Sequence, residues 1–174
     1  MGRLAVRNAV TKAVGTAAIT YVGTVFPARP TIVQEQDYQQ TMQGASVPSS
    51  PNGSNAVIVV NITSDKRTRD RLTGRGAVGD FNVHQMALEV WFASNKGTGT
   101  AAQKDYDAVI DGLFVFIRNH ATMTDATVVW SAGEYRAGVA HEQSEAFTTA
   151  TGLVVWIFGL VRFEAWETIT GSTV

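Results

Sequence analysis

The sequence predicts an α+β domain, a mixed or antiparallel sheet of about four strands with two helices packed on it. Three observations carry that expectation. Tyr106, Val109, Ile110, Leu113, Phe114 and Ile117 form an apolar stripe at helical spacing. Residues 56–64 and 81–94 alternate apolar and polar side chains with the period of a strand. Residues 153–169 read as a long closing strand whose first half is apolar on both faces and so needs cover on both.

Each element follows in chain order. Val6, Val10, Ala13, Val14 and Ala17 share one helix face, with Arg3, Arg7 and Lys12 off it. Gly15 and the Thr-rich stretch after it end that helix by about Ala18. Pro27 and Pro30 impose an extended path on residues 21–30. Residues 43–55, QGASVPSSPNGSN, form a polar loop excursion. In the first strand Ala56, Ile58, Val60 and Ile62 share a face. In the second, His84, Met86, Leu88, Val90 and Phe92 point one way, and Val83, Gln85, Ala87, Glu89 and Trp91 the other. The basic, Gly-rich connection 65–80 makes these two strands an antiparallel hairpin with a long extension.

After the turn at 95–100, Thr100 and Gln103 match a capping box for the second helix. Asp105, Asp107 and Asp111 read as its solvated start, and Arg118 and His120 as its basic end, as the helix dipole favours. Residues 126–134 read as a third strand, and 135–151 take no assignment. In the closing strand Arg162, Glu164 and Thr168 alternate with Val161, Phe163 and Ile169, so one side there meets water. The order is α-β-β-α-β-β, in a single domain over residues 1–174.

Composition narrows the function classes. The chain has 174 residues and a net charge of −1. It has no cysteine, which removes disulfides, thiolate metal sites and cysteine nucleophiles. Charged residues make up 17%, below the usual level of about 25%. Thr, Ser, Asn and Gln take their place, as suits a surface that meets protein. No apolar run reaches the roughly 18 residues of a membrane span. The opening MGRLAVRNAVTKAVG lacks the continuous apolar core of a signal peptide, and Val6 stands where myristoylation needs Ser or Thr. The expectation is a soluble protein made in the cytoplasm, with no membrane partner. Residues 1–75 carry nine basic and four acidic groups, and residues 76–174 five basic and eleven acidic. Either the chain is bipolar and stacks on partners through opposite faces, or its halves mix in space and the asymmetry vanishes.

No catalytic, cofactor or metal residue is expected. Gly74-Arg-Gly-Ala-Val-Gly79 matches a dinucleotide-binding pattern by letter, but it leads into a strand, so no helix N-terminus is there to hold a pyrophosphate. His84, His120 and His141 have no metal-ligand spacing. Glu164 and Glu167 fall on opposite faces of a strand and make no acid/base pair. The serines of 46–54 have no nucleophile elbow. The one cluster with contact chemistry is Lys66, Arg67, Arg69, Arg71 and Arg75. It reads as a solvated hairpin tip, as a contact for an acidic protein surface, or as a phosphate contact. No aromatic is interleaved, which disfavours base stacking.

The order of elements carries a resemblance. An N-terminal helix leads to the extended Val22-Gly-Thr-Val-Phe-Pro-Ala-Arg-Pro30, then to a hairpin with Leu88-Glu-Val-Trp-Phe92 on its second strand. The helix Lys104-Asp-Tyr-Asp-Ala-Val-Ile-Asp-Gly-Leu113 follows, then two closing strands around Val128-Val-Trp130 and residues 154–164. Over nearly its whole length this resembles the tail terminator proteins of long-tailed bacteriophages. The resemblance implies a non-enzymatic virion protein of the tail and neck, assembled in the host cytoplasm. It implies a homo-oligomeric ring, a hexamer, on the end of the tail tube. That ring stops tube polymerisation and joins the tail to a head-closure or connector protein. The implied partners are the chain itself, the tail tube protein, the connector protein and, in passing, DNA in the lumen. The basic cluster is then the expected ring-stacking or lumen contact. The alternatives are a head-closure protein, a tail tube subunit, or a small ligand-binding domain or enzyme whose site assembles only in three dimensions.

Overall fold

Val6, Val10 and Val14, spaced one turn apart and fully buried or nearly so, are why the first segment folds as a helix onto the sheet. In this computed structural model, which describes residues 3–29, 35–50, 52–71, 78–119, 138–144, 146–148 and 154–169, that helix is α1 (Arg3–Thr16). Positive φ at Ala18 and Tyr21 then turns the chain into β1 (Val22–Phe26). β1 lies parallel to β2 (Ser54–Arg71), anchored where the Ala56 amide donates to the Tyr21 carbonyl at 2.7 Å. Between them runs α2 (Glu35–Ser46). β2 pairs antiparallel with β3 (Val78–Ser94), with one irregularity between Ile62 and Ser64. α3 (Gly99–Asn119) crosses back, and β4 (Ala140–Gln143), β5 (Phe147–Thr148) and β6 (Val155–Ile169) follow. β6 pairs antiparallel with β3, β4 and β5. The sheet order is β1-β2-β3-β6-β4, with β5 also on β6.

The α+β class and the mixed sheet are as expected, but the inventory is richer: six strands, and three helices among the described residues. α2 is new. Its sequence, EQDYQQTMQGAS, is mostly polar, with only Tyr38, Met42 and Ala45 at helical spacing; Met42 docks it, fully buried against Val57 and Val59. The excursion 43–55 therefore shrinks, because α2 runs to Ser46 and β2 begins at Ser54. The excursion 65–80 is also largely strand, since β2 and β3 stay paired out to Arg71 and Val78. Charged residues hold strand conformation there because each is tied into a ladder, whose hydrogen bonds do not depend on side-chain polarity. The expected strand at 126–134 lies outside the described residues, as do His120 and most of the dinucleotide-like motif. Part of the unassigned 135–151 forms β4 and β5.

The alternation of β3 divides the molecule. Met86, Leu88, Val90 and Phe92 join α1, α3 and the inner face of β6 in the main core. The other face carries the smaller cluster under α2, flanked by Phe26 and Trp91. Both faces of the first half of β6 are covered: Val155 and Ile157 face the main core and Trp156 is buried on the other side. α3 is capped by Thr98, whose Oγ1 accepts from the Ala101 amide at 3.3 Å, in place of the Thr100–Gln103 box.

Candidate functional site

Helix length sets where the covered sheet stops. The 21 residues of α3 span roughly 30 Å, the rise of about nine strand residues. α3 passes Ser54 and Ser94 at Asp105, in its second turn, where Asp105 accepts from Ser54 Oγ at 2.6 Å. The rest of the helix spans about six strand residues and so reaches roughly the level of Leu88. α1 begins further out: the Arg3 guanidinium pairs with Asp65 and donates to the Ile62 carbonyl at 2.8 Å. Beyond this line β2, β3 and β6 continue as a three-stranded ribbon, Lys66–Arg71 against 78–83 and 166–169, for roughly 20 Å.

A buried polar network locks the base of the ribbon. Asp65 Oδ1 lies 2.6 Å from His84 Nδ1, and His84 Nε2 lies 3.2 Å from Glu167 Oε2. Asn82 donates to the same Glu167 oxygen at 3.1 Å. His84 and Glu167 are buried. Burial pushes the Glu167 carboxyl up, and the hydrogen bonds from Asn82 and His84 outweigh it, leaving it below the usual carboxylate value. One linked set thus ties α1, β2, β3 and β6 together where the apolar core ends. The sequence held half of this signal: His84 and Glu167 both sit in register with apolar core positions, but nothing in it pairs them.

Four of the expected contact residues, Lys66, Arg67, Arg69 and Arg71, lie on β2 within the ribbon, opposite Val83, Asn82, Asp80 and Val78 of β3. Arg75 is outside the described residues. The acids Asp70, Asp80 and Glu167 share the ribbon with them, and Asp65 and Glu164 lie at its base. Antiparallel pairing thus mixes the two sequence halves along its length. Across its width the charges stay sorted. The cations are all on β2, one outer strand; from Phe163 to Ile169 the other outer strand, β6, has acids and no cation. On the outer sides, β1 pairs β2 from Ala56 to Val59, and β4 pairs β6 over Gly159–Arg162.

The other polar clusters are satisfied within the chain. Asp105, expected at a solvated helix start, is buried. Burial raises its pKa, but hydrogen bonds from Lys96 and Ser54 hold the carboxyl below its usual value. Lys96 Nζ lies 2.6 Å away, and the hydroxyl oxygens of Ser54 and Ser94 lie 2.9 Å apart. On the outer face a groove of about 490 Å³ contains buried Glu89. Glu89 accepts from Arg29 Nε at 2.9 Å and Asn61 at 2.7 Å. Tyr106 Oη and His141 Nε2 lie 2.8 Å apart. Burial raises the tyrosine and lowers the histidine, so both are neutral near pH 7 and the pair is a structural hydrogen bond. Among the described residues no group of three or more His, Asp or Glu side chains is placed to hold a metal ion, and no helix is long and apolar enough to cross a membrane.

No family model matches this chain, and no curated protein matches it. Among solved structures, a chain from the "Virion of native gene transfer agent (GTA) particle" is similar at 14% identity and a TM-score of 0.40, covering 96% of this chain and 100% of that one. A likeness this distant assigns neither a fold family nor a function.

Proposed function

We propose that this chain is a structural virion protein, a tail-terminator-like subunit. Its closed ring of about six copies ends polymerisation of a phage tail tube and joins the tail to the head connector. The observation that carries the reading is the three-stranded ribbon, in which β2, β3 and β6 stay paired well past the start of α1 and place a run of cations on one strand. Such a ladder offers a long, charged surface on which a subunit can meet its neighbours. The low charge content and the order of elements noted above support the same reading. The role is mechanical: one ring face matches the tube end, and the other lacks the surface that recruits a further tube subunit. Lys66, Arg67, Arg69, Arg71 and Arg75 are the proposed contact residues. The position of the first four beside acids in one ribbon favours a protein contact over a nucleic-acid one.

Native mass spectrometry with negative-stain imaging across a concentration series tests this. The expected species is a closed ring. Long tubes formed by the chain alone identify a tube subunit instead. A monomer that stays monomeric when purified tail ends are added overturns the ring.

A further inference from the structure

We infer that the clamp at the ribbon base is a register lock: Arg3 of α1, together with Asp65, holds a β-bulge in β2 that decides which face of the ribbon each later residue of β2 occupies. The lock stands apart from the ring; its bearing on assembly rests on the contact role proposed above for the cations of β2.

The ladder shows the bulge. Ile62 faces Met86 and Ser64 faces Gln85, so Thr63 is an extra residue on β2. Before it, the even-numbered Ala56, Ile58, Val60 and Ile62 are buried on the core side. After it the phase changes, and the odd-numbered Asp65 meets His84. Arg67, Arg69 and Arg71 keep step with Asp65 along the strand. In an unbulged pairing Ser64 would face His84, Asp65 would face Val83, and every later residue of β2 would change faces.

Side chains hold the bulge. The Arg3 guanidinium donates to the Ile62 carbonyl at 2.8 Å and pairs with Asp65, so one side chain spans the extra residue. Thr63 Oγ1 donates to the Gln85 carbonyl at 3.1 Å. Asp65 Oδ1 lies 2.6 Å from His84 Nδ1, and His84 Nε2 lies 3.2 Å from Glu167 Oε2, which carries the clamp across to β6. β3 itself is fixed, because it pairs with β6 without irregularity from Asp80 to Ser94. The stretch of β2 beyond the clamp selects no register of its own. Lys66–Arg71 contains no apolar residue, so no buried row chooses a pairing. Arg69 with Asp80 is its only directly opposed pair of unlike charge, a modest preference. The register therefore hangs on the clamp, and releasing the clamp lets β2 slip by one residue and turns the three arginines to the other face.

The chain has no cysteine, so an engineered pair reports alone. Thr68 faces Phe81 in the bulged register and Asp80 in the slipped one. Successive strand residues point to opposite faces, so a disulfide closes only in the register that opposes its two cysteines. Thr68→Cys is combined with Phe81→Cys or with Asp80→Cys, and each pair is oxidised in the otherwise unchanged chain and with Arg3→Ala or Asp65→Asn added. Peptide mass spectrometry scores the intramolecular product. The expected result is the 68–81 disulfide alone in the unchanged chain and the 68–80 disulfide as the major product once the clamp is broken. Deleting Thr63 from the clamp variants removes the extra residue and should restore the 68–81 product. A 68–80 product in the unchanged chain overturns the lock. So does a 68–81 product that persists undiminished in both clamp variants, because the bulge then holds without them. Loss of both products in the clamp variants means that the ribbon unpairs instead of slipping, and a 68–80 product that survives deletion of Thr63 removes the bulge as its source; either overturns the inference. None of these outcomes depends on whether rings form, so the ring reading stands or falls separately.

Discussion

Gly159 shows how one residue can hold a layer in place. A Cβ built there would sit 1.8 Å from Tyr106 Oη, and Tyr106 is fully buried in edge-to-face contact with Phe92. The ring cannot withdraw without disturbing the core, so Gly159→Ala should cost about 1–3 kcal/mol as overpacking. Adding Tyr106→Phe removes the clashing hydroxyl and should restore part of that loss, which urea unfolding of the two single variants and the double variant would show as favourable coupling. At the ribbon base the sign of the pH effect is fixed by Glu167. Its folded pKa lies below the ordinary value of 4.5. Its contribution is therefore present above that value and lost as pH falls through the folded one. The denaturant midpoints of wild type and Glu167→Gln should differ near neutral pH and converge below about pH 4.5. A gap that persists in acid would assign the effect to packing instead. Such residues were only half visible in the sequence. The strand alternation puts His84 and Glu167 on the core side, but their partnership is set by register across three strands, which local pattern does not encode.

At the scale of elements, α2 hangs on Met42. That side chain is fully buried on Val57 and Val59 while the rest of the helix is mostly polar. Met42→Ala should cost about 2 kcal/mol or more and loosen α2 before the rest of the fold. Hydrogen exchange should show lost protection across residues 41–46 with the β2–β3 amides unchanged. Equal loss everywhere would mean that α2 unfolds only with the whole domain. The same polarity hid the helix: Tyr38, Met42 and Ala45 sit at helical spacing, but three apolar positions among polar ones are a thin signal. By contrast α1, α3, β3 and β6 were legible because each buries one face and repeats its apolar residues at the matching period. β2 was legible only to Ser64. Past that point Asp65, Lys66, Arg67, Arg69, Asp70 and Arg71 replace the alternation, and strand is imposed by pairing with β3. β1 was foreseen as extended chain, but its parallel place beside β2 depends on a crossover through α2.

For the whole molecule, the sequence posed a choice between a bipolar chain and a mixed one, and the ribbon combines the two. Pairing brings acids of the second half beside cations of the first, yet leaves the cations on one outer strand and Glu164 on the other. A lateral charge separation orients neighbours during approach and penalises wrong pairings more than it adds affinity. Reversing Arg67, Arg69 and Arg71 to Glu should therefore leave the domain folded, because these residues lie beyond the apolar cluster that holds it together. It should prevent attachment to tails, because the sign of the proposed contact surface is then reversed. Circular dichroism and thermal unfolding check the fold, and native mass spectrometry and tail-binding assays check assembly. A folded triple variant that closes rings and attaches to tails normally removes these cations from the interface.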